Sequence, residues 1–326
     1  MDIRSLIDDA LEVSVVGSFS RLGFQVRQQV FGWTSPADGC LVGRTVLVTG
    51  PTSGLGRATA DAVAALGARV ILVGRSEERL AVVRDELVAT HGEDRFPIVI
   101  ADMGSLASIQ AAVTRILETE SRLDVLIDNA GAIYPERLVG PDGIEATLTI
   151  LVVGPFALIG GLMPLLRKTP DARVICVTSG GQYTQAVDLN DLQWEMGSYS
   201  GPRAYAKAKR VQTALVREWA RRLAGTDVTV NAMHPGWADT PGVEASLPGF
   251  YGLMGPLLRT PAEGADTIMW LATAPEATAQ RGKLFLDRRP RPFDRVPATR
   301  LSAADRRRLW DLVVELSGAP DPAPGR

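Results

Sequence analysis

The chain reads as an α/β protein built on a doubly wound parallel sheet, and three observations predict it. Short apolar, β-rich runs alternate with helical stretches from residue 44 onward, the pattern of a parallel sheet covered on both faces. The glycine-rich and polar motifs fall where those runs end, which is where such a sheet binds its ligands. The 326 residues and 46% hydrophobic content suit one large domain or two small ones, with apolar material enough for a sizeable core.

The strands come in order. "TVLVT" (45–49) is the first, followed by an Ala-rich helical run to Gly67. "RVILV" (69–73) leads to "SEERLAVVRDELVATHG", whose Ser76 and Glu78–Arg79 mark a helix start. "PIVIA" (97–101), "LDVLI" (123–127), "RVICV" (173–177) and "DVTVNAM" (227–233) follow, with "KLFLD" (283–287) as a short last strand. Helices are expected over 105–121, 142–168 and 203–224. The organisation is an N-terminal helical extension (1–40), the α/β domain (41–316) and a disordered tail (317–326), whose "GAPDPAPGR" has little to bury.

Composition narrows the function. A net charge of −2 gives no general attraction to nucleic acid. Cys40 and Cys176 do not make a disulfide framework, which suits a reducing, cytoplasmic setting. His91 and His234 match no zinc spacing with those cysteines. The early acids Asp2, Asp8 and Asp9 do not fit a secretory leader. Residues 146–166, "ATLTILVVGPFALIGGLMPLL", carry no charge and are long enough to span a bilayer. Their place between two strands favours a buried helix instead.

The motifs carry the chemistry. The first strand runs into "TGPTSGLGR", with Gly50, Gly54 and Gly56. Glycines there let a pyrophosphate approach the backbone at a helix N-terminus. The second strand ends in "VGRS". Arg75 stands where an NAD site has an acid, and a guanidinium suits the 2′-phosphate of NADP. The third strand ends in Asp102, the fourth in "DNAG" (128–131), the fifth in "VTSGG" with Ser179, and the sixth in "MHPGWADTPG". Between the last two, "PRAYAKAKR" sets Tyr205 four residues before Lys209, on one face of a helix.

Together these residues resemble the short-chain dehydrogenase/reductase superfamily. The matching pieces are TGPTSGLG, Asp102, Asn129–Gly131, Ser179, Tyr205-x-x-x-Lys209 and Pro235-Gly236, in order over about 44–290. "DLNDLQ", "MHPGWADTPGV", "LPGF", "EGADT" and "LFLDRRP" look like its group called dehydrogenase/reductase SDR family member 12. The resemblance implies a Rossmann fold, a nicotinamide cofactor and an NADP-dependent oxidoreductase. It implies Tyr205 as general acid, Ser179 as donor to the substrate oxygen, and Lys209 as the cation that lowers the Tyr205 pKa and binds the nicotinamide ribose. Around the cofactor it sets Gly50, Thr52, Ser53, Gly54, Leu55, Gly56, Arg75, Asp102, Met103, Asn129, Ala130, Gly131, Pro235, Gly236 and Thr240. It also implies a homodimer or homotetramer, with the helices at 142–168 and 203–224 as contacts.

One family residue is absent. Most members carry an asparagine three residues before a helix glycine; here the glycine is Gly154 and the residue is Leu151. The asparagine holds a water that links the lysine to solvent, and a leucine side chain does not. A second reading follows, of an NADP-binding sensor or scaffold with little catalysis.

Residues 237–258 supply Trp237, Leu247, Phe250, Tyr251, Leu253, Met254, Leu257 and Leu258 after the sixth strand. They read equally as a lid over an apolar substrate (lipid, steroid, retinoid or polyketide-like) or as the seal of a core or subunit contact. In residues 14–33, Phe19, Leu22, Gly23, Val26 and Val30 share a helical face. Residues 281–308 hold ten Lys/Arg against three Asp/Glu. A helix packed on the domain and a solvated basic face is one reading. Peripheral contact with an anionic membrane is the other.

Overall fold

The structure, a computed structural model, describes residues 2–92, 95–246 and 248–321. Leu247 of the expected lid and 322–326 of the expected tail lie outside the described residues. The sheet consists of β1 (Thr45–Thr49), β2 (Arg69–Gly74), β3 (Ile98–Ile100), β4 (Val125–Asp128), β5 (Arg173–Val177), β6 (Thr229–Met233), β7 (Leu284–Leu286) and β8 (Arg289–Arg291). Its order is β3-β2-β1-β4-β5-β6-β7-β8. All neighbours are parallel except β7 and β8. The chain reverses direction across the sheet between β1 and β4, so their carboxyl ends open the crevice where such sheets bind ligands.

The helices among the described residues are α1 (Ile3–Val13), α2 (Val15–Phe19), α3 (Arg21–Phe31), α4 (Gly54–Ala65), α5 (Glu77–His91), α6 (Leu106–Thr119), α7 (Ala146–Leu148), α8 (Gly154–Lys168), α9 (Gly201–Arg222), α10 (Pro241–Ser246), α11 (Pro248–Met254), α12 (Pro261–Thr273) and α13 (Ala303–Ser317). Alternate side chains of β1 and β2 enter opposite cores. Val46, Val48, Val70 and Leu72 lie on the side of α4, α5 and α12, and Leu47 and Ile71 on the side of α6, α8, α9 and α13. The apolar run at 146–166 forms α7, a π-helical turn (Thr149–Val153) and most of α8. Most of it is buried in this second core.

The N-terminal helices differ from the single helix read over 14–33. Ser14 and Ser20 adopt extended conformations and cap α2 and α3 with their hydroxyls, which divides the segment. The packed face of α3 carries Gly23, Phe24 and Arg27, while Leu22 is 58% exposed. Arg27 is fully buried and bridges three carboxylates: Asp8 (2.7 Å), Glu12 (2.7 Å) and Asp287 (2.7 Å). Arg259 also holds Asp287, at 2.6 Å, and Arg289 and Arg291 hold Asp8, each at 2.8 Å. Burial pushes the Asp8 carboxyl up, but Arg291 and Arg27 outweigh it and leave its pKa below the ordinary value. The network ties the extension to the β7–β8 hairpin. It also engages much of the basic stretch, because Arg288 pairs with Asp266 and Arg295 with Glu12. These arginines face protein carboxylates, so the solvated basic face is smaller than the sequence suggests.

α13 packs across α8 and α9, where the sequence reading placed subunit contacts. Trp310 meets Phe156 at 4.7 Å and Trp219 at 4.8 Å between ring centres, and is fully buried. The chain thus covers this part of the two helices with its own C-terminal helix. The ordered part also runs further than expected. Ser317 ends α13, Ala319 is buried against Gly160, and Asp321 pairs with Arg222.

Candidate active site

The site begins where β1 and β4 end side by side. Gly50 and Gly54 take positive φ values of 66° and 53°, a region that disfavours side chains. At Gly56 a Cβ would lie 2.1 Å from the Gly50 carbonyl and 2.4 Å from the Asn129 amide, so only glycine allows this approach. Asn129 Nδ2 donates to the carbonyls of Thr49 (3.0 Å) and Gly50 (3.3 Å). The Asn129 and Ala130 N–H groups both donate to Thr49 Oγ1 at 2.9 Å. These bonds fasten the two turns together. Ser53 caps α4 in an extended conformation but makes no side-chain capping bond. The first-turn N–H groups of α4 therefore suit an anion. Thr240 stands beside this turn, its methyl 3.1 Å from where a Gly54 Cβ would be.

The other cofactor candidates divide. Arg75 is exposed beyond β2 and has no ion pair with any described residue. Asp102 is half-buried after β3, and its Oδ1 accepts the Gly104 N–H at 2.8 Å. Thr52 is half-buried in the glycine turn. Met103 instead belongs to the buried core, and the Leu55 side chain turns toward Gly264 of α12. These two side chains pack the fold. Gly131 lies over Leu151, and Gly236 has a positive φ of 72° in the turn after β6, next to Pro235. The glycine cradle and the uncapped helix fit a dinucleotide.

Ser179 follows β5, its Oγ accepts the Gly181 N–H at 3.2 Å, and its side chain is close enough to Tyr205 on α9 to lower that phenol's pKa. Lys209 lies one turn further along α9 and is buried. Its Nζ donates to the Val177 carbonyl at 2.6 Å and to Gln212 Oε1 at 3.3 Å. Burial pushes the Tyr205 phenol up to about 12, against the lowering effect of the Ser179 side chain. The expected lowering by Lys209 is not found in this geometry. The ammonium lies 5.9 Å from the centre of the Tyr205 ring and is held by Val177. Burial also pushes Lys209 below its ordinary value, with Asp128 opposing.

Leu151 sits fully buried in the π-helical turn, a distortion frequent at functional sites. A Cβ on Gly131 would meet its Cδ2 at 2.9 Å. An apolar side chain therefore fills the space under the Asn129–Gly131 turn.

Three residues near the site escaped the sequence reading as functional. Asp128, at the end of β4, accepts from Gln212 Nε2 at 2.7 Å. It was visible in "DNAG", but nothing in the sequence joins it to Gln212. Phe19 reaches in from α2. A Cβ on Gly180 would lie 2.5 Å from its ring, and its carbonyl accepts the Trp237 N–H at 2.8 Å. The N-terminal extension thus supports the turn after Ser179 and the turn after β6 at once.

Residues 239–258 leave the domain as a loop closed at its base by the Ala238↔Arg259 bridge. Within it, α10 and α11 carry few buried side chains. Leu253 is 79% exposed, whereas Leu258 is buried in the base. The Trp237 and Phe250 rings meet at 5.3 Å. The segment is therefore neither wholly core nor wholly free, and its inner aromatic pair adjoins the turn after β6.

Comparison with known proteins agrees with this arrangement. The family model for short chain dehydrogenase matches residues 44–248. The chain is 39% identical over 278 residues to dehydrogenase/reductase SDR family member 12 of Bos taurus, covering 84% of this chain and 86% of that protein. It is 34% identical over 301 residues to retinol dehydrogenase 14 of Mus musculus, covering 86% and 87%. Among solved structures, the Pseudomonas aeruginosa RhlG/NADP active-site complex superposes with a TM-score of 0.62 at 26% identity, covering 77% of this chain and 96% of that one. With its parallel sheet, its glycine turn and the Ser179–Tyr205–Lys209 arrangement, this chain belongs to the short-chain dehydrogenase family of oxidoreductases, which work with a nicotinamide cofactor.

Proposed function

We propose that the protein is an NADP(H)-dependent oxidoreductase that interconverts an apolar carbonyl compound and its alcohol. The observation that carries the reading is the grouping of Ser179, Tyr205 and Lys209, the last one helical turn from Tyr205 and 5.9 Å from its ring centre, beside a cradle for a dinucleotide. The free Arg75 supports NADP(H) over NAD(H), since a guanidinium pairs with a 2′-phosphate. The names of two relatives, a retinol dehydrogenase and an NADP complex, are consistent with it.

NADPH bound along the glycine turn would supply the hydride. The protein's own groups do the rest. Ser179 holds the carbonyl oxygen of the substrate by a hydrogen bond, at the point where negative charge develops. Tyr205 gives its phenolic proton to that oxygen. A phenol held up to about 12 is protonated at neutral pH and ready to donate. In the reverse direction the same pKa calls for alkaline conditions or a cation nearby, and the Lys209 ammonium, 5.9 Å from the ring centre, is the cation at hand. Trp237 and Phe250 suit an apolar substrate by excluding water from this edge.

The test is NADPH oxidation with apolar carbonyls such as retinal and phenanthrenequinone. Turnover that disappears in the Tyr205→Phe protein supports the reading. Tight NADPH binding without turnover of any apolar carbonyl would favour the sensor or scaffold reading, which the Leu151 plug keeps in play.

A further inference from the structure

The Lys209 ammonium is buried. A buried ammonium requires partners with negative character. Two are present. The Val177 carbonyl accepts at 2.6 Å, and Gln212 Oε1 accepts at 3.3 Å. The same Gln212 amide donates from its Nε2 to Asp128 Oδ2 at 2.7 Å. This arrangement has only one sense. A carboxylate can accept only from the NH₂ end of the amide, and an ammonium can donate only to its oxygen. The amide dipole is therefore aligned between an anion and a cation, each strengthening the other's hydrogen bond.

The rest of the surroundings single out Asp128. It is buried at 1% exposure, and its Oδ1 has no hydrogen-bond partner among the described residues. A carboxylate in that position is expensive to the fold. Nothing it does for β4 requires a charge, because its neighbour across the sheet is Cys176. The titratable groups that face it are Lys209 on α9 and the Cys176 thiol on β5. Burial pushes Asp128 up to about 6, opposed by Lys209 and by the Gln212 bond, so it is largely ionised above neutrality.

We infer that Asp128 is a positioning residue for the reaction: through the Gln212 amide it holds the Lys209 ammonium in place and keeps it charged beside Tyr205. The inference rests on the catalytic pair of the proposed function. Asp128 touches neither substrate nor cofactor. It acts electrostatically, since an amide does not pass on a proton, and it sustains the buried cation. If Asp128 loses its charge, burial lowers the Lys209 pKa further, and the neutral amine no longer assists the Tyr205 phenolate.

The experiment uses the full chain with Asp128→Asn, which preserves shape and lets Gln212 keep its bond, together with Gln212→Met, the double variant and Tyr205→Phe. Tetralol oxidation with NADP is followed against pH. In the parent, kcat/KM rises with pH as Tyr205 ionises. In Asp128→Asn that rise should move up by about one unit and kcat at neutral pH should fall about tenfold, the scale of one hydrogen bond to a charged group. KM for tetralol should stay within about twofold, because no substrate contact is touched. The double variant should be no slower than the slower single variant, since one break already interrupts the chain. A readout without turnover comes from calorimetry with NADPH. The affinity of Asp128→Asn should fall at lower pH than that of the parent, as Lys209 gives up its proton earlier. Unchanged pH profiles in both assays, in a protein whose activity is still abolished by Tyr205→Phe, would overturn the role of Asp128 and leave the proposed function standing. An active Tyr205→Phe protein would remove the proposed function, and this inference with it.

Discussion

Replacing Asp287 by asparagine tests the buried charge network quantitatively. Asp287 has a φ of 56°, a region in which asparagine is tolerated, so the backbone is not the variable. Its carboxylate binds Arg27 at 2.7 Å and Arg259 at 2.6 Å, and all three side chains are at most 1% exposed. After the change Arg27 still has Asp8 and Glu12. Arg259 does not. Its remaining partners are the carbonyls of Ser18 and Ser20, which leaves a buried cation without a counter-ion. Breaking such a pair from one side costs about 3–5 kcal/mol, and Arg259 places Asp287→Asn at the upper end. Arg27→Met should cost less. Asp8 keeps Arg289 and Arg291, Asp287 keeps Arg259, and Glu12 keeps Arg295. With about 2.1 cal/mol/K of unfolding entropy per residue over 326 residues, each kcal/mol corresponds to about 1.5 °C. Thermal unfolding should therefore show Asp287→Asn lowered by about 6–7 °C and Arg27→Met by less. A change below about 1.5 °C for Asp287→Asn, or the reverse order, would refute the reasoning.

Three further outcomes are expected. Arg75→Asp should cut NADPH affinity about tenfold or more, as loss of a charge-assisted bond does, and leave NADH affinity equal or improved; equal NADPH and NADH affinities in the parent, by calorimetry, would contradict it. Asp128→Asn should stabilise the fold at pH 8 but hardly at pH 4. A folded pKa of about 6 against 3.8 unfolded means that stability is lost as pH rises through 6, by at most about 3 kcal/mol, so melting temperatures that rise equally at both pH values would count against it. The homodimer or homotetramer that the family resemblance implies should give two or four times the chain mass of 34.9 kDa by light scattering, and a single-chain mass would contradict that expectation.

Much of the sheet was legible because β1, β2 and β5 are nearly continuous apolar runs, which suit a strand covered on both faces by helices. The glycine turn and the Tyr205–Lys209 pair were legible for a local reason, since each motif lies within a few residues. β8 was not, because Arg289–Arg291 is Arg-Pro-Arg and owes its pairing to tertiary contacts. The turn before it, Asp287-Arg288, lacks the glycine that usually announces a tight hairpin, and Arg259 and Asp266 hold it instead. α13 did carry local signals, Ser302 as N-cap and Gly318 at its end, and could have been found from them. The buried Arg27 could not. An arginine on a helix ordinarily faces solvent, and this one belongs to the packed face only because the fold brings Asp8 and Asp287 to it. Asp128 and Gln212 are likewise 84 residues apart, and only the fold makes them neighbours.

The central claim is that Tyr205 delivers a proton to an apolar carbonyl at this site. The most direct measurement is single-turnover oxidation of pre-bound NADPH by phenanthrenequinone, comparing the parent with Tyr205→Phe at equal NADPH occupancy. Positioned proton transfer contributes about 10²–10⁴-fold, so the account predicts a loss of at least about a hundredfold in the rate with unchanged NADPH binding. A Tyr205→Phe protein that binds NADPH and reduces the quinone as fast as the parent would contradict it.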